Sequence, residues 1–140
     1  MQEGYIILLV FVSSRHHGRS SHIGESTFIQ HEAVQPLEFD GLKIIDYTAG
    51  RDTRSSLAEI TVPAGVRHRS SWSNRSDKYY YVVEGNIEFT LNGESKSLSS
   101  GDICVVHQAV RFSYVNSGSN DVKLILIHTP SFKSECEVFE

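Results

Sequence analysis

Residues 72–92, WSNRSDKYYYVVEGNIEFTLN, leave the chain few choices of fold. Residues 79–83 form a dense block of aromatic and β-branched side chains, which favour strands. Gly85 can adopt the positive φ that a tight turn requires, and Asn92-Gly93 is a strong hairpin signal. The run therefore predicts a strand, a tight turn, a second strand and a hairpin turn.

The same alternation of short apolar runs and turn signals continues along the chain, and none of it has a sustained helical period. Turns are expected at Asp40-Gly41, Gly65, Ser100-Gly101 and Asn116-Ser117-Gly118. The runs expected to be strands are residues 42–47, 56–62, 79–83, 86–91, 103–106, 111–116 and 122–128. This pattern in 140 residues predicts one all-β domain, either a sandwich or a small barrel.

The first 26 residues differ from the rest. Residues 5–12 (YIILLVFV) are the most apolar run, but they are too short to cross a bilayer core of about 30 Å as a helix. No basic segment precedes them, which favours a strand over a secretory signal. Residues 13–26 are rich in Ser, Gly and His and predict a flexible linker. We expect residues 1–26 to form an N-terminal strand and linker, and residues 27–140 to form the single β domain.

The composition of the chain limits the classes of partner that it is expected to bind. The net charge of -4 and pI of about 6.0 argue against nucleic acid, because phosphate binding needs a basic face. We expect no membrane partner either. Cys104 and Cys136 have neither the number nor the spacing of a disulfide framework or a zinc knuckle, which favours a reducing, cytoplasmic setting.

Two segments, residues 72–92 and 101–116, resemble the two conserved motifs of the cupin superfamily. The resemblance covers roughly residues 56–130 and implies a double-sheet jelly-roll β-barrel, the small single-domain cupin. The first motif resembles G-x5-H-x-H-x3-E-x6-G, and counting back from Gly85 places Lys78 at its acidic position and Asn74 and Trp72 at its histidines. The second resembles G-x5-P-x-G-x2-H-x3-N. It aligns its first glycine with Gly101, its proline with His107, its second glycine with Ala109, its histidine with Phe112 and its asparagine with Asn116.

All four metal-ligand positions of the resemblance therefore carry other residues. Trp72, Asn74, Lys78 and Phe112 offer an indole, an amide, an ammonium and a phenyl ring in place of imidazoles and a carboxylate. We predict that the usual divalent metal is absent and that no cofactor is needed. The alternative is a displaced metal site built from His68, His107 or His128, with Glu59 as a further ligand.

Strand alternation then predicts the contents of the barrel. If Lys78 points inward, Tyr80 and Val82 share its face, and Phe112 brings Tyr114 and Asn116 with it. The predicted ligand-binding residues are Trp72, Asn74, Lys78, Tyr80, Phe112 and Tyr114. An enclosed lysine needs an anion, so Lys78 implies either a protein carboxylate such as Glu59 or an anionic ligand.

Three functions remain open. The first is a small-molecule-binding cupin whose aromatic pocket takes a small anionic or planar ligand. The second is a metal-independent enzyme, such as a sugar isomerase, epimerase, cyclase or lyase, with Lys78 or His107 as acid or base and Tyr80 or Tyr114 donating to an oxyanion. The third, compatible with both, is a homodimer formed through residues 5–12 and the outward face of residues 79–83.

Overall fold

The computed structural model describes residues 25–140, and the N-terminal strand and most of the linker expected from the sequence lie outside them. Eleven strands and two single turns of 3-10 helix, His31–Ala33 and Ser134–Cys136, make up the described part. No helix among residues 25–140 is long and apolar enough to span a membrane. The strands are β1 Leu37–Phe39, β2 Leu42–Asp46, β3 Ser56–Val62, β4 Arg67–Ser73, β5 Asp77–Glu84, β6 Asn86–Leu91, β7 Glu94–Ser99, β8 Ile103–Val106, β9 Phe112–Val115, β10 Val122–Thr129 and β11 Glu137–Phe139.

The strands form two antiparallel sheets, which confirms the all-β prediction. The six-stranded sheet has the order β1-β2-β3-β10-β5-β8, and the five-stranded sheet has the order β11-β4-β9-β6-β7. Strand β10 lies at the centre of the larger sheet, paired along its length with both β3 and β5. The apolar core fills the space between the sheets.

The two turns predicted within residues 72–92 are present, but the first of them connects the two sheets. Gly85, at φ +96°, does not close a hairpin within one sheet; it carries the chain from β5 in the larger sheet to β6 in the smaller one. Asn92 and Gly93 both have positive φ, as a type I′ hairpin between β6 and β7 requires. This segment thus supplies β5 to the larger sheet and β6 to the smaller sheet.

Strand alternation places the side chains of β5 and β9 as predicted. Lys78, Tyr80 and Val82 are buried between the sheets, whereas Tyr81 and Val83 are exposed on the outside. On and just after β9, Phe112, Tyr114 and Asn116 are buried.

Four strands were not predicted from the sequence, because their residues are polar or too few to show an alternating pattern. β4 is almost entirely polar (RHRSSWS), but pairs with β9 on one side and β11 on the other. β7 is polar, and β1 and β11 have three residues each. β11 joins the smaller sheet and turns Glu137 inward.

Candidate functional site

A small cavity of about 50 Å³ lies between the two sheets, at the end where β1 and β11 form their edges. Aromatic rings supply much of its wall. Its polar groups come from seven strands: Asp46 on β2, Ser56 on β3, His68 on β4, Lys78 and Tyr80 on β5, Tyr114 on β9, His128 on β10 and Glu137 on β11. The aromatic wall residues besides the two tyrosines are Phe39, Phe132 and Phe139.

A buried ion pair stands in this cavity. Lys78 donates to Glu137 over 2.6 Å from Nζ to Oε1, and the two side chains are only 5% and 4% exposed. The ammonium also lies 4.9 Å from the ring centroid of Phe112, within range of a cation-π contact. The carboxylate expected to neutralise Lys78 is therefore present, but it is Glu137. Glu59, the sequence-based candidate, lies outside the cavity and bonds to Lys123 and Tyr47.

His68 is held as a neutral imidazole of fixed tautomer. Its Nδ1 lies 2.6 Å from the carbonyl oxygen of Arg69, which can only accept, so Nδ1 carries the proton and Nε2 keeps its lone pair. Burial, and secondarily the charge of Lys78, lower the pKa of His68 to about 3. The ring packs between Phe112 and Tyr114, each 5.0 Å away between centroids.

His128 stands directly opposite Lys78 in the pairing of β10 with β5. Burial and the nearby ammonium of Lys78 lower the pKa of His128 well below its ordinary value, so this imidazole is also neutral near pH 7. Its ring meets Phe132 edge-on, with 5.1 Å between centroids. The Nε2 atom of His128 is buried and has no hydrogen-bond partner within residues 25–140.

Two further polar atoms in the lining of the cavity are also left without a hydrogen bond. The hydroxyl of Tyr114 and the Oε2 atom of Glu137 are buried without a hydrogen-bond partner in the described part of the chain. Burial raises the pKa of Tyr114, so its hydroxyl stays protonated and can donate. The cavity lining therefore has both a hydrogen-bond donor and hydrogen-bond acceptors that no described protein atom satisfies.

Asp46 is a further ionisable residue in the lining of the cavity. Burial raises the pKa of this carboxyl to about 6, against opposing hydrogen bonds from Thr48, so Asp46 is mostly ionised at pH 7. The ion pair of Lys78 and Glu137 contributes no net charge. The polar lining is therefore slightly negative at neutral pH and nearly neutral below pH 6.

The structure gathers only part of the predicted ligand-binding set. Lys78, Tyr80 and Tyr114 line the cavity, and Phe112 is buried just beyond it. The prediction that Trp72 and Asn74 point into the barrel is wrong.

The error with Trp72 and Asn74 has a local cause. The buried side chains of this part of β4 are Ser71 and Ser73, so a spacing counted back from Gly85 falls one residue out of phase. Asn74 is exposed, beyond the end of β4. Trp72 lies on the outer face, where the guanidinium of Arg111 stacks 5.1 Å from its ring.

His107, predicted as an acid or base near the mouth, is also outside the cavity. Its side chain is 70% exposed, and its Nδ1 lies 3.5 Å from a carboxylate oxygen of Asp77. Of the four catalytic candidates, Lys78, Tyr80 and Tyr114 line the cavity and His107 does not.

The residues present do not suit the divalent metal that the fold family implies. A cation would have to approach the ammonium of Lys78, and the nearby aromatic ring of Phe112 offers no ligand atom. Of the displaced-site candidates, His68 and His128 share the cavity, whereas His107 and Glu59 do not. Within residues 25–140 no group of three or more His, Cys, Asp or Glu side chains is arranged to hold a metal ion.

Sequence reasoning missed Glu137 and Asp46, and it considered His68 and His128 only as metal ligands. Glu137 sits in a polar tail whose alternation, EVF, is too short to stand out. The signal that could have located it was the demand of a buried lysine for a carboxylate. Only the pairing of β11 with β4, which sets Glu137 opposite Ser73, shows which carboxylate supplies it.

Several solved structures share this architecture. Streptomyces Pac13, described as a nucleoside dehydratase and solved with uridine, is 22% identical, with a TM-score of 0.72 over 83% of this chain and 92% of its own. KdgF from Halomonas sp. is 20% identical, with a TM-score of 0.70 over 79% of this chain and 99% of its own. At these identities the likeness shows the fold alone.

Comparison of sequences agrees with the structural likeness. The uncharacterized protein MJ1618 of Methanocaldococcus jannaschii is 26% identical over 85 residues, which cover 61% of this chain and 68% of that protein. The Cupin_2 family model, a cupin domain, matches residues 59–128. The jelly-roll fold implied by the two motifs is thus confirmed, and the chain belongs to the cupin domain family.

Proposed function

We propose that the protein binds a small uncharged ring compound, planar or polyhydroxylated, in the cavity between its two sheets. The observation that carries this proposal is the set of three buried polar atoms without a partner in the described chain, on Tyr114, His128 and Glu137. An unsatisfied buried polar group costs about 1–3 kcal/mol. A ligand that offers both donors and acceptors removes that cost and gains specificity from it.

The walls suit the ring of such a ligand. Phe39, Phe132 and Phe139 stand around the polar groups together with Tyr80 and Tyr114. Aromatic faces bury planar molecules and the apolar faces of sugars at little entropic cost. Apolar walls with a few placed polar groups are the usual composition of a small-molecule site.

The charges favour a neutral ligand over an anionic one. Lys78 would attract an anion only if its charge were free, and Glu137 already balances it at 2.6 Å. Asp46 adds negative charge to the lining near pH 7. An anionic ligand would therefore have to displace Glu137 and approach Asp46, whereas an uncharged ligand can use the existing ion pair as a combined donor and acceptor.

Ligand entry requires the cavity to open, since about 50 Å³ is well below the roughly 300–1,000 Å³ of typical ligand pockets. The wall contains two elements suited to move. Strands β1 and β11 are three-residue edge strands, each paired on one side only. They meet through Phe39 and Phe139, whose ring centroids are 5.4 Å apart. Separation of this contact would admit a ring-sized molecule.

The test compares matched neutral and anionic ligands by isothermal titration calorimetry. Uridine against uridine monophosphate and a neutral hexose against its uronic acid are suitable pairs. We expect the neutral member to bind more tightly in at least one pair. Tyr114→Phe, which removes one hydroxyl, should weaken that binding about fivefold, because one hydrogen bond is worth about 1 kcal/mol. Tyr79→Phe, on the outer face of β5, is the matched control and should leave binding unchanged.

Stability measurements distinguish this role from simple packing. The Tyr114 hydroxyl has no partner in the described protein, so Tyr114→Phe should leave the unliganded protein equally stable or make it more stable by about 1 kcal/mol. Loss of stability without loss of binding would contradict the proposal. Tighter binding of both anionic members would overturn the choice of a neutral ligand.

A second candidate is a metal-independent enzyme that removes water from a hydroxylated ligand. The observation that favours it is that a neutral imidazole, His128, and a protonated phenol, Tyr114, line the same cavity, both with open hydrogen-bonding capacity. His128 could take a proton from carbon while Tyr114 gives one to the departing hydroxide, which leaves an alkene and water. His128→Gln should then bind ligand but no longer cause the loss of one water, measured by mass spectrometry. Unchanged turnover in that variant would refute the role.

A further inference from the structure

A groove of about 650 Å³ lies on the outer face of the smaller sheet. Its described lining residues all differ from those of the cavity between the sheets. Typical ligand pockets have volumes of roughly 300–1,000 Å³, so a small molecule fits here without the opening that the cavity requires. We call it the outer groove, and six residues of its lining carry its chemistry: Ser70, Trp72, Thr90, Arg111, Ser113 and Glu140.

Arg111 supplies the positive charge of the outer groove, and two contacts hold it in place. Its guanidinium carbon lies 5.1 Å from the ring centroid of Trp72, which is a cation-π contact. Its carbonyl oxygen accepts a hydrogen bond of 3.0 Å from the amide of Asn92, which fixes the backbone just before β9. A guanidinium carries its N–H donors in a rigid, planar fork that matches two oxygens of a carboxylate or phosphate. Arg111 is therefore preorganised to bind an oxyanion.

Glu140 now accepts from this guanidinium, but it can be displaced. Nη2 of Arg111 donates to Oε2 of Glu140 over 2.8 Å, and the two side chains are 53% and 43% exposed. Ion pairs this exposed contribute little to stability, because water solvates the separated charges almost as well. A ligand oxyanion can therefore replace Glu140 at Arg111, whereas the buried Glu137 cannot leave Lys78 without a large cost.

Hydroxyl groups on neighbouring strands complete the lining. Ser113 of β9 lies opposite Thr90 of β6, and Ser70 comes from β4 on the other side of β9. Paired strands are about 4.8 Å apart, so these hydroxyls stand at regular intervals across the floor of the outer groove. Each hydroxyl can both donate and accept a hydrogen bond, as the hydroxyl groups of a sugar also do.

We propose that the outer groove is a second ligand site, which binds a sugar carrying an oxyanion, either a phosphate or a carboxylate. Arg111 binds the oxyanion through its fork of N–H groups after Glu140 has swung into water. The hydroxyls of Ser113 and Thr90 bind hydroxyl groups of the sugar. This site is separate from the cavity between the sheets and does not depend on what the cavity binds.

The fluorescence of Trp72 gives the first test, because Trp72 is the sole tryptophan of the chain and lines the outer groove. The probes are glucose 6-phosphate, glucuronate, glucose and inorganic phosphate. We expect at least one of the two anionic sugars to change the emission and to bind about tenfold or more tightly than glucose and phosphate, since charge-assisted hydrogen bonds are the stronger ones. The anionic sugar that binds more tightly shows whether the oxyanion is a phosphate or a carboxylate.

Calorimetry on variants assigns the binding to individual side chains. Arg111→Gln should weaken binding of the anionic sugar about tenfold or more, and Arg111→Lys, which keeps the charge but loses the fork, should also weaken it several-fold. Ser113→Ala should weaken it several-fold, whereas Glu140→Gln should strengthen it, because that substitution removes the competing carboxylate. Arg54→Gln, at an exposed position before β3 in the larger sheet, makes the same charge change as Arg111→Gln and should have no effect.

The same variants keep this proposal separate from the proposed cavity ligand. Binding in the outer groove should survive Tyr114→Phe, and binding of a neutral ligand in the cavity should survive Arg111→Gln. Anion binding that Arg111→Gln removes therefore belongs to the outer groove. Failure of both anionic sugars to bind at millimolar concentration, or an affinity that Arg111→Gln leaves unchanged, would overturn the proposal. Equal affinity for phosphate alone would overturn the choice of a sugar.

Discussion

Removing one partner of the buried ion pair should destabilise the protein far more than removing both. Lys78→Met leaves the Glu137 carboxylate buried and unpaired, and Glu137→Leu does the same to the ammonium. Breaking a buried pair costs about 3–5 kcal/mol, whereas replacing both partners by apolar residues of similar volume is often neutral. We therefore expect a loss of about 3–5 kcal/mol in each single variant and a change within about 1 kcal/mol in the double variant.

The magnitude is large enough for equilibrium unfolding in urea, read with linear extrapolation. For a domain of this size each kcal/mol shifts Tm by roughly 3–5 °C, so each single variant should melt about 10–20 °C lower. The control is the exposed pair of Arg111 and Glu140, 2.8 Å apart and about half exposed, where Glu140→Leu should cost under about 1 kcal/mol. Single variants as stable as this control, or a double variant that loses the sum of both single losses, would refute the reasoning.

Three further predictions concern pH, a turn and a thiol. The folded pKa of His68, about 3, lies below its unfolded value, so stability should fall by about 1 kcal/mol per pH unit as pH drops below about 6.5. His128, whose pKa is also lowered, adds to this fall, and Asp46 opposes it below about pH 6. His68→Gln should make the acid limb of a urea series less steep, and an unchanged limb would contradict this. Gly85→Ala should cost roughly 2–5 kcal/mol, because its φ is +96° and the new Cβ would lie 2.9 Å from a valine methyl group of β10. Gly93→Ala, at positive φ but in open space, should cost no more than about 1–2 kcal/mol, and equal losses at both glycines would refute the steric argument. Burial raises the pKa of Cys104 to about 11, so Ellman's reagent should modify this thiol only at the rate of unfolding; modification at the rate of a free thiol would show the strand to be open.

Most of the barrel could be predicted from local sequence patterns. The bounds predicted for β3, β6 and β8 agree with the structure, because alternating apolar residues and glycine-containing turns encode such strands locally. The same period predicted which residues of β5 and β9 share a face, and the resemblance to cupins predicted which face points inward. The pattern failed at β4, whose polar residues become a strand only because β9 and β11 pair with its two edges.

By itself the sequence determined the all-β class, the residues that share a face with Lys78, and the demand of a buried Lys78 for a counter-charge. These depend on strand period and on the cost of burying an ammonium, both of which are local properties. The jelly-roll arrangement and the inward direction of Lys78 were predicted from the resemblance of the two motifs to cupins. Only the tertiary structure decided that Glu137 meets this demand. Glu137 lies 59 residues further along the chain, and no local pattern specifies which carboxylate a distant strand will bring into contact. The net charge of the cavity lining, and with it the proposed preference for an uncharged ligand, depends on that long-range pairing.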